Sequence, residues 1–393
     1  MKGVKRFHRF AAKVSELGGK AYMVGGAVRD IMMKNNPSDY DFVITGIDEE
    51  VFRHAFNKSI INRGIRYPVY RVMAGGVIVD VTIAKGSLDE DFLRRDLTIN
   101  AMAVDLQTGR LIDPFMGRKD IKSGVLEVVS ESFSDDPIRV LRAARLAATL
   151  GFSISAKTMN IMRSMKPMFC QIPAIMVKYE TEKAMASSNP GIYVRVLNEV
   201  GAFGIIFPEL KKFPSRIIAR LDSLSKHGCS SRFAFVALLF DLSEKRRQNL
   251  EDRIPRSYIK VALKVVSCYK TLQKSKDIFD IKQALTVIHQ MGFAYALGDM
   301  TQKNGGCPLL ASDALAYIFQ KLDLPAGASK ERRRKITRCE RIRRITEVLC
   351  QQRPDLSNLS ATNQNTESLN FTVIGQKTGF KQKQQFNENP WYY

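Results

Sequence analysis

The sequence predicts an α+β N-terminal half, a mixed sheet with helices, followed by an all-α remainder. Up to about residue 135, short β-rich runs (AYMV, YDFVIT, GGVIVDVTI, NAMAVD, VLEVV) alternate with helical segments and are separated by Gly, Pro and Asp. From Asp136 onward strand signals nearly vanish: RVLRAARLAATL, IYVRVLNEV, FAFVALLFDL and YIKVALKVVSCYKTL all space their apolar residues as helices do. At 393 residues the chain exceeds one ordinary core, so more than one module is expected.

Composition narrows the function classes. No run approaches the roughly 18 apolar residues of a membrane span. The start, MKGVKRFHRFAAKVSELGGK, lacks the apolar core of a signal peptide, so a cytoplasmic protein is expected. Six scattered cysteines (170, 229, 268, 307, 339, 350) form no CxxC pair, which fits reduced thiols and no structural metal. Sixty-one Lys and Arg against thirty-nine Asp and Glu give a formal charge of +22, a large field for attracting a polyanion, with nucleic acid the leading partner. A generally basic, well-solvated surface is the plainer alternative.

Taken in order, Tyr22-Met23-Val24 predicts a strand, Gly25-Gly26 a turn and AVRDIMM a helix. Two glycines there let backbone N–H groups approach an anion without a Cβ in the way, and Arg29, one turn on, reaches toward the same place. A tight β-to-α turn with Arg29 paired to a nearby acid is the simpler reading. In Asp39-Tyr40-Asp41, strand alternation puts both carboxylates on one face, with Tyr40 and Phe42 opposite. Adjacent carboxylates repel, and Mg²⁺ held by them together with substrate phosphates offsets the repulsion. Turn and loop Asp pairs are common, so this pair gains meaning only from its surroundings. In GGVIVDVTI, Asp80 shares a face with Ile78 and Thr82, opposite Val77, Val79 and Val81. It either joins Asp39 and Asp41 around metal or is satisfied by a neighbouring Arg or backbone N–H.

Arg94-Arg95-Asp96 leads into LTINAMAVD, where adjacent charges can serve both a triphosphate and a ribose. Asp135-Asp136-Pro137 predicts a helix start, with Asp136 as N-cap and Pro137 at the first helical position. Arg139, Arg142 and Arg145 then line one stripe while Leu141, Ala144 and Ala148 pack elsewhere. Three like charges on a stripe need an anion or acids opposite them; a salt-bridged exposed helix would also do. KERRRKITRCERIRRITEVLCQQR, from Lys330, predicts a basic helix, either a solvated face or an RNA contact. After Pro354 the composition turns to Asn, Gln, Ser and Thr, as in a loosely ordered tail.

VGGAVRD, DYD, RRDLTINAMAVD, IDPFMGRKDI and DDPIRVLRAARLAATLGF, in this order, resemble the class II tRNA nucleotidyltransferase and bacterial poly(A) polymerase family. The likeness is specific over about residues 20 to 155. It continues more weakly through SSNPGIYVRVLNEVGAFGIIFPEL and RFAFVALLFDL to LEDRIPRSYIKVA, where the chain is most similar to bacterial CCA-adding enzymes. The resemblance implies a nucleotidyltransferase head (1–135), a helical neck carrying the base site (136–205), an RNA-binding helical body (206–329) and a basic helix with tail (330–393). Asp39 and Asp41 would hold the catalytic Mg²⁺, with Asp80 the third acid near an attacking 3′-hydroxyl. Gly25, Gly26, Arg29 and Arg95 would hold the triphosphate, and Asp96 would favour ribose. Asp136 and Arg139 would pair with the base edge, supported by Arg142 and Arg145, so that protein selects C or A without a template.

The implied reaction adds CCA to the 3′ end of tRNA from CTP and ATP. Only AKGSLDEDFLR separates Ile83 from Arg95, where relatives carry a flexible loop, and this shortening resembles enzymes that add CC alone. Asp135 stands where the family usually has Glu, and Ile175-Met176 where it often has Glu-Arg. With four His in all, and Asp241 following Phe240 where an appended phosphohydrolase domain has His, no such hydrolase activity is expected. A poly(A) polymerase shares these motifs, although Ala27-Val28 after the glycines looks more like the tRNA enzymes. A non-catalytic RNA-binding protein with a decayed head is the rival of another class. Against it stand the intact acids, since clustered carboxylates destabilise a fold that has no use for them.

Overall fold

The computed structural model describes residues 4–56, 69–225, 230–275, 277–301, 307–320 and 329–352. The polar tail after Pro354 lies outside the described residues. The head contains β1 (Lys20–Val24), β2 (Asp41–Thr45), β3 (Val69–Ala74), β4 (Val77–Ile83), β5 (Ala103–Asp105), β6 (Leu111–Ile112) and β7 (Val125–Leu126). Between them run helices α1 (His8–Glu16), α2 (Gly26–Met32), α3 (Glu49–Ala55), α4 (Leu88–Leu93) and α5 (Gly117–Ser123). Helix α6 (Ile138–Leu150) and a two-residue strand β8 (Ser153–Ile154) follow. Next come α7 (Ala156–Ser164), α8 (Ala174–Met185), α9 (Pro190–Glu199), α10 (Phe203–Ile206), α11 (Pro214–Ser225), α12 (Ser231–Leu239), α13 (Glu244–Gln248) and α14 (Arg256–Lys274). The described chain closes with α15 (Ile278–Gln290), α16 (Ala294–Thr301), α17 (Ser312–Phe319) and α18 (Lys330–Gln352).

Six strands form one mixed sheet in the order β3-β4-β2-β1-β5-β6, with β2 and β4 parallel and the other neighbours antiparallel. Alternation divides its two faces. Met23, Phe42, Ile44, Val79 and Val81 pack with Phe7, Phe10 and Val14 at the N-terminus and with Phe52 of α3. Tyr22, Val24 and Val43 turn the other way, onto Phe92 of α4 and Ala101. Strand register carries the second face across the sheet: Val24 is opposite Asp41, Asp41 opposite Asp80, and Asp80 opposite Arg71.

One continuous apolar core runs from Leu97 and Phe133 through α6, α8 and α9 to Ile345, Val348 and Leu349 of α18. Helix α6 lies against both α8 and α9. Its Ala143, Ala144 and Ala147 are buried, and such small side chains let helices approach closely. Gly151, at φ 70°, ends α6 in the left-handed conformation that only glycine adopts cheaply.

Four details differ from the sequence reading. Strand β2 begins at Asp41, so Asp39 and Tyr40 precede it, although the Tyr40 carbonyl still accepts from the Asp80 N–H at 2.9 Å and extends the ladder by one residue. Tyr40 and Phe42 both pack on Phe7, so the expected alternation survives. Helix α6 starts at Ile138, with Pro137 in the capping position, yet Asp136 Oδ1 still accepts from the Ile138 N–H at 3.0 Å. Beyond residue 136, β8 pairs in parallel with β7, because a two-residue strand leaves no periodicity to read. Helix α18 is not simply solvated: its first turns are exposed, while Arg344, Ile345 and Val348 are buried and the helix packs on α15 and α17.

Candidate active site

A cleft of about 640 Å³ opens between the sheet and α6. Gly25, Gly26, Arg29, Asp39, Asp41, Arg95, Asp96, Asp136, Arg139, Arg142 and Arg145 all line it, so residues spread over 120 positions meet in one depression. Asp80 is the one sequence-predicted site residue outside the lining; it stands beside Asp41 on β4.

The turn after β1 sets the near wall. Gly25 has φ 69°, and a Cβ there would stand 3.1 Å from Arg95 Nη1 and 3.7 Å from Asp41 Oδ2. The glycine is thus required twice, by its backbone conformation and by the two charged side chains that close over it. Arg29 is held at its guanidinium: Nη2 pairs with Asp30 at 2.8 Å, Nε donates to the same carboxylate at 3.0 Å, and Nη1 donates to Asn100 Oδ1 at 2.9 Å. Arg95 is clamped by Asp91 of α4, whose Oδ2 accepts from Nε and Nη2 at 2.9 and 2.7 Å, and donates from Nη1 to the Asn100 carbonyl. Each guanidinium keeps further donors on a planar fork, the geometry that suits phosphate oxygens.

The acids form the floor. Burial pushes the Asp41 carboxyl up; Arg95 and Arg142 oppose the rise, and Asp80 and Asp39 add to it. Although Asp41 opens onto the cleft, the walls limit its hydration, and a carboxylate raised by neighbouring carboxylates gains from a cation. Among the described residues, no three His, Cys, Asp or Glu side chains are placed to hold a metal by themselves. The donor set is therefore a carboxylate pair that needs outside oxygens to complete a coordination shell, as Mg²⁺ shared with a polyphosphate does. Asp80 follows the second of the two sequence alternatives: its backbone is in register with Asp41, but its Oδ1 accepts from Arg71 Nε at 3.0 Å, with both side chains about a third exposed.

The far wall is α6. Asp96, 6% exposed, accepts from the Leu97 N–H and Asn100 Nδ2 on Oδ1 and from Arg142 Nε on Oδ2. Burial alone would raise its carboxyl, but Arg142, Asn100 and the Leu97 N–H outweigh it and bring the pKa down to about 2. Asp96 is thus a fixed anion that fastens the head to α6. Arg139 donates to the carbonyls of Ser132 and Arg94 at 2.8 and 2.7 Å, which ties the start of α6 to the segment after α4. Arg145 pairs at 2.5 Å with Glu180 of α8, itself 1% exposed. The arginine stripe therefore has acids opposite two of its members, and the helix that carries it is largely buried rather than an exposed salt-bridged one.

Sequence reasoning missed Asn100, Asp91, Glu180 and Lys183, and noted Met176 only as a departure from the family pattern. Asn100 touches Arg29, Arg95 and Asp96 at once, and its only sequence signal was its place four residues after Asp96. Asp91 lay in a segment read as connecting loop, and Glu180 and Lys183 lay on a helix with no motif to mark them. Met176 and Lys183 also line the cleft.

Residues 21–86 and 79–127 match the family model described as the poly A polymerase head domain, and 151–213 match a probable RNA and SrmB-binding site of polymerase A. A CCA-adding enzyme of Buchnera aphidicola is 34% identical over 300 residues, covering 69% of this chain and 68% of that protein. One from Coxiella burnetii is 34% identical over 284 residues, covering 66% and 73%. The chain belongs to the CCA-adding enzyme family. A multifunctional CCA protein of Haemophilus ducreyi is 35% identical, and there the match spans 54%, about half, of the relative. The CCA-adding fold extends over most of the chain: the Thermotoga maritima CCA-adding enzyme complexed with tRNA superposes with a TM-score of 0.63 at 21% identity, covering 88% of this chain and 94% of that one. A tRNA-processing enzyme in an apo form gives 0.67 at 23% identity, covering 87% and 97%. Asp241, the residue after Phe240, forms a bidentate pair with the buried Arg220, at 2.7 and 2.9 Å.

Proposed function

We propose that the protein adds CCA, or CC alone, to the 3′ end of tRNA from CTP and ATP, releasing pyrophosphate. The observation that carries this reading is the single cleft in which an anion-compatible glycine turn, two clamped arginines, paired carboxylates and an arginine-bearing helix converge. Gly25, Gly26, Arg29 and Arg95 take the triphosphate, and Asp96, Asp136 and Arg139 face the nucleoside, with Arg142 and Arg145 fixing α6 behind them. Asp39 and Asp41 would hold Mg²⁺, which supplies charge neutralisation at the phosphates and a more acidic hydroxyl. The acceptor's 3′ oxygen bonds to the α-phosphorus as the bond to the bridging oxygen breaks, and pyrophosphate leaves toward Arg29 and Arg95. Arg139 retains N–H groups beyond the two given to carbonyls, so it can donate to ring acceptors while Asp136 accepts from an amino group. That pattern favours C and A over G and U. Residues 1–135 act as head and 136–205 as neck, while 206–329 with the basic helix grip RNA by phosphate contact and shape.

CC addition alone is favoured by one feature. In the segment between Ile83 and Arg95, residues 88–93 form α4, whose N-cap Ser87 accepts from the Glu90 N–H, and Asp91 on that helix holds Arg95. An ordered helix leaves little chain to rearrange between C and A.

One assay tests both forms. Purified protein receives Mg²⁺, triphosphates singly and mixed, and tRNA ending at the discriminator base, at C or at CC, and the products are sequenced. Full CCA or a stop after CC is expected; long A tails, or no extension, would overturn the reading. Asp39→Ala should lower extension by at least about 10³-fold while leaving tRNA binding within about twofold, as expected for loss of a metal-holding group.

A further inference from the structure

The row Val24, Asp41, Asp80, Arg71 crosses the second face of the sheet, and one step along that face the cross-strand pair Met73 and Ile78 stands side by side. Both are unusually open for large apolar side chains, 61% and 60% exposed, whereas their neighbours Val72 and Val79 are buried on the other face. Single exposed hydrophobics need no explanation, but two paired across a hairpin beside a carboxylate row form a small flat shelf.

We infer that this Met73–Ile78 shelf seats the terminal nucleoside of the acceptor RNA. The inference rests on the proposed nucleotidyl transfer, because displacement at phosphorus requires the attacking oxygen and the leaving group on opposite sides. The glycine turn, Arg29 and Arg95 lie on the β1 side of Asp41, and they receive the pyrophosphate. The attacking hydroxyl must then approach from the β4 side, where Asp80 stands next to Asp41. A ribose whose 3′-hydroxyl reaches that point places its base over β4 and β3, where Ile78 and Met73 are the exposed side chains on the same face. Arg71, whose Nε donates to Asp80, adds a positive charge beside the shelf for the nucleotide's backbone phosphate.

The chemistry suits a changing substrate. An acceptor end presents the discriminator base first and cytosine afterwards, so a seat with hydrogen-bond readers would reject one of them. Apolar contact with the face of a base is tolerant, because every base has such a face. Selection of the incoming nucleotide stays with Asp136 and Arg139 across the cleft.

The test uses the full chain and a tRNA transcript ending at the discriminator position in 4-thiouridine. Photocrosslinking without triphosphate should attach this nucleotide to the peptide spanning residues 69–80. Crosslinks confined to α8 around Met176, or to any other segment, would overturn the shelf. Met73→Ser with Ile78→Ser alters only exposed side chains, so its melting temperature should match the parent. The double variant should lose the crosslink and raise KM for tRNA about tenfold, with KM for CTP and kcat at saturating tRNA near the parent values; an unchanged KM for tRNA would overturn the inference. Crosslinking needs no turnover. A protein that crosslinks at the shelf yet extends nothing would overturn the proposed function alone, and one that extends tRNA but crosslinks elsewhere would overturn the shelf alone.

Discussion

Asp96 joins the two halves of the site. Its carboxyl, brought down to about 2 by Arg142, Asn100 and the Leu97 N–H against the cost of burial, makes the stability of this junction depend on pH. A depressed carboxyl contributes stability that is present above its unfolded value near 4 and is lost as pH falls from there toward 2. A shift of this size corresponds to about 2 kcal/mol, less any screening at the half-exposed Arg142. Asp96→Asn should therefore lower the melting temperature at pH 7, and the gap to the parent should narrow steadily between pH 5 and pH 2. A gap independent of pH would show that the ion pair contributes nothing. At this scale the sequence named the right acid and arginine separately. It could not pair Asp96 with Arg142, because 46 residues and a change of module separate them.

Helix α4 shows how a short element carries function without a motif. Ser87 caps it, Asp91 leaves its last turn to hold Arg95, and Phe92 is buried against the sheet. Removing the cap costs about 1 kcal/mol, which a six-residue helix has little packing to absorb. Ser87→Ala should speed hydrogen exchange of the 88–93 amides about fivefold, the factor that ~1 kcal/mol gives, and raise KM for the triphosphate severalfold through Arg95. Unchanged exchange would mean that packing of Phe92, and not the cap, holds the helix. Pattern reading recovered β1, β2, β4 and α6 because alternation and helical spacing repeat over several residues in each. It passed over the six-residue β3, left α4 as a loop and missed β8; the last two carry too few residues for a period to emerge.

Across the whole molecule, charge and fold act together. A formal +22 borne by a long, largely helical body gives a field that an RNA phosphate backbone meets before any specific contact forms. Binding of tRNA should weaken by roughly a hundredfold or more between 50 and 200 mM salt, the behaviour of a ligand held at several phosphates. Filter binding across that range measures it, and a flat response would place the recognition elsewhere than on the backbone. The continuous core from α6 to α18 means that the helices after residue 136, the basic one included, share one apolar interior and form a common frame with the arginine stripe.

By itself the sequence determined the class of fold and named nearly all of the charged groups that line the cleft. Periodicity is a local property, and the glycine turn, the DYD acids, RRD and the arginine stripe are each written within a few consecutive residues. Only the tertiary structure decided what those groups do to one another. It set Arg95 over Gly25, Asp80 beside Asp41 but paired to Arg71, Glu180 behind Arg145, and Asn100 between Arg29 and Asp96. Such contacts join residues up to 71 positions apart. They are chosen by which faces of the sheet and helices are apolar enough to be buried, so they exist only once the core has closed.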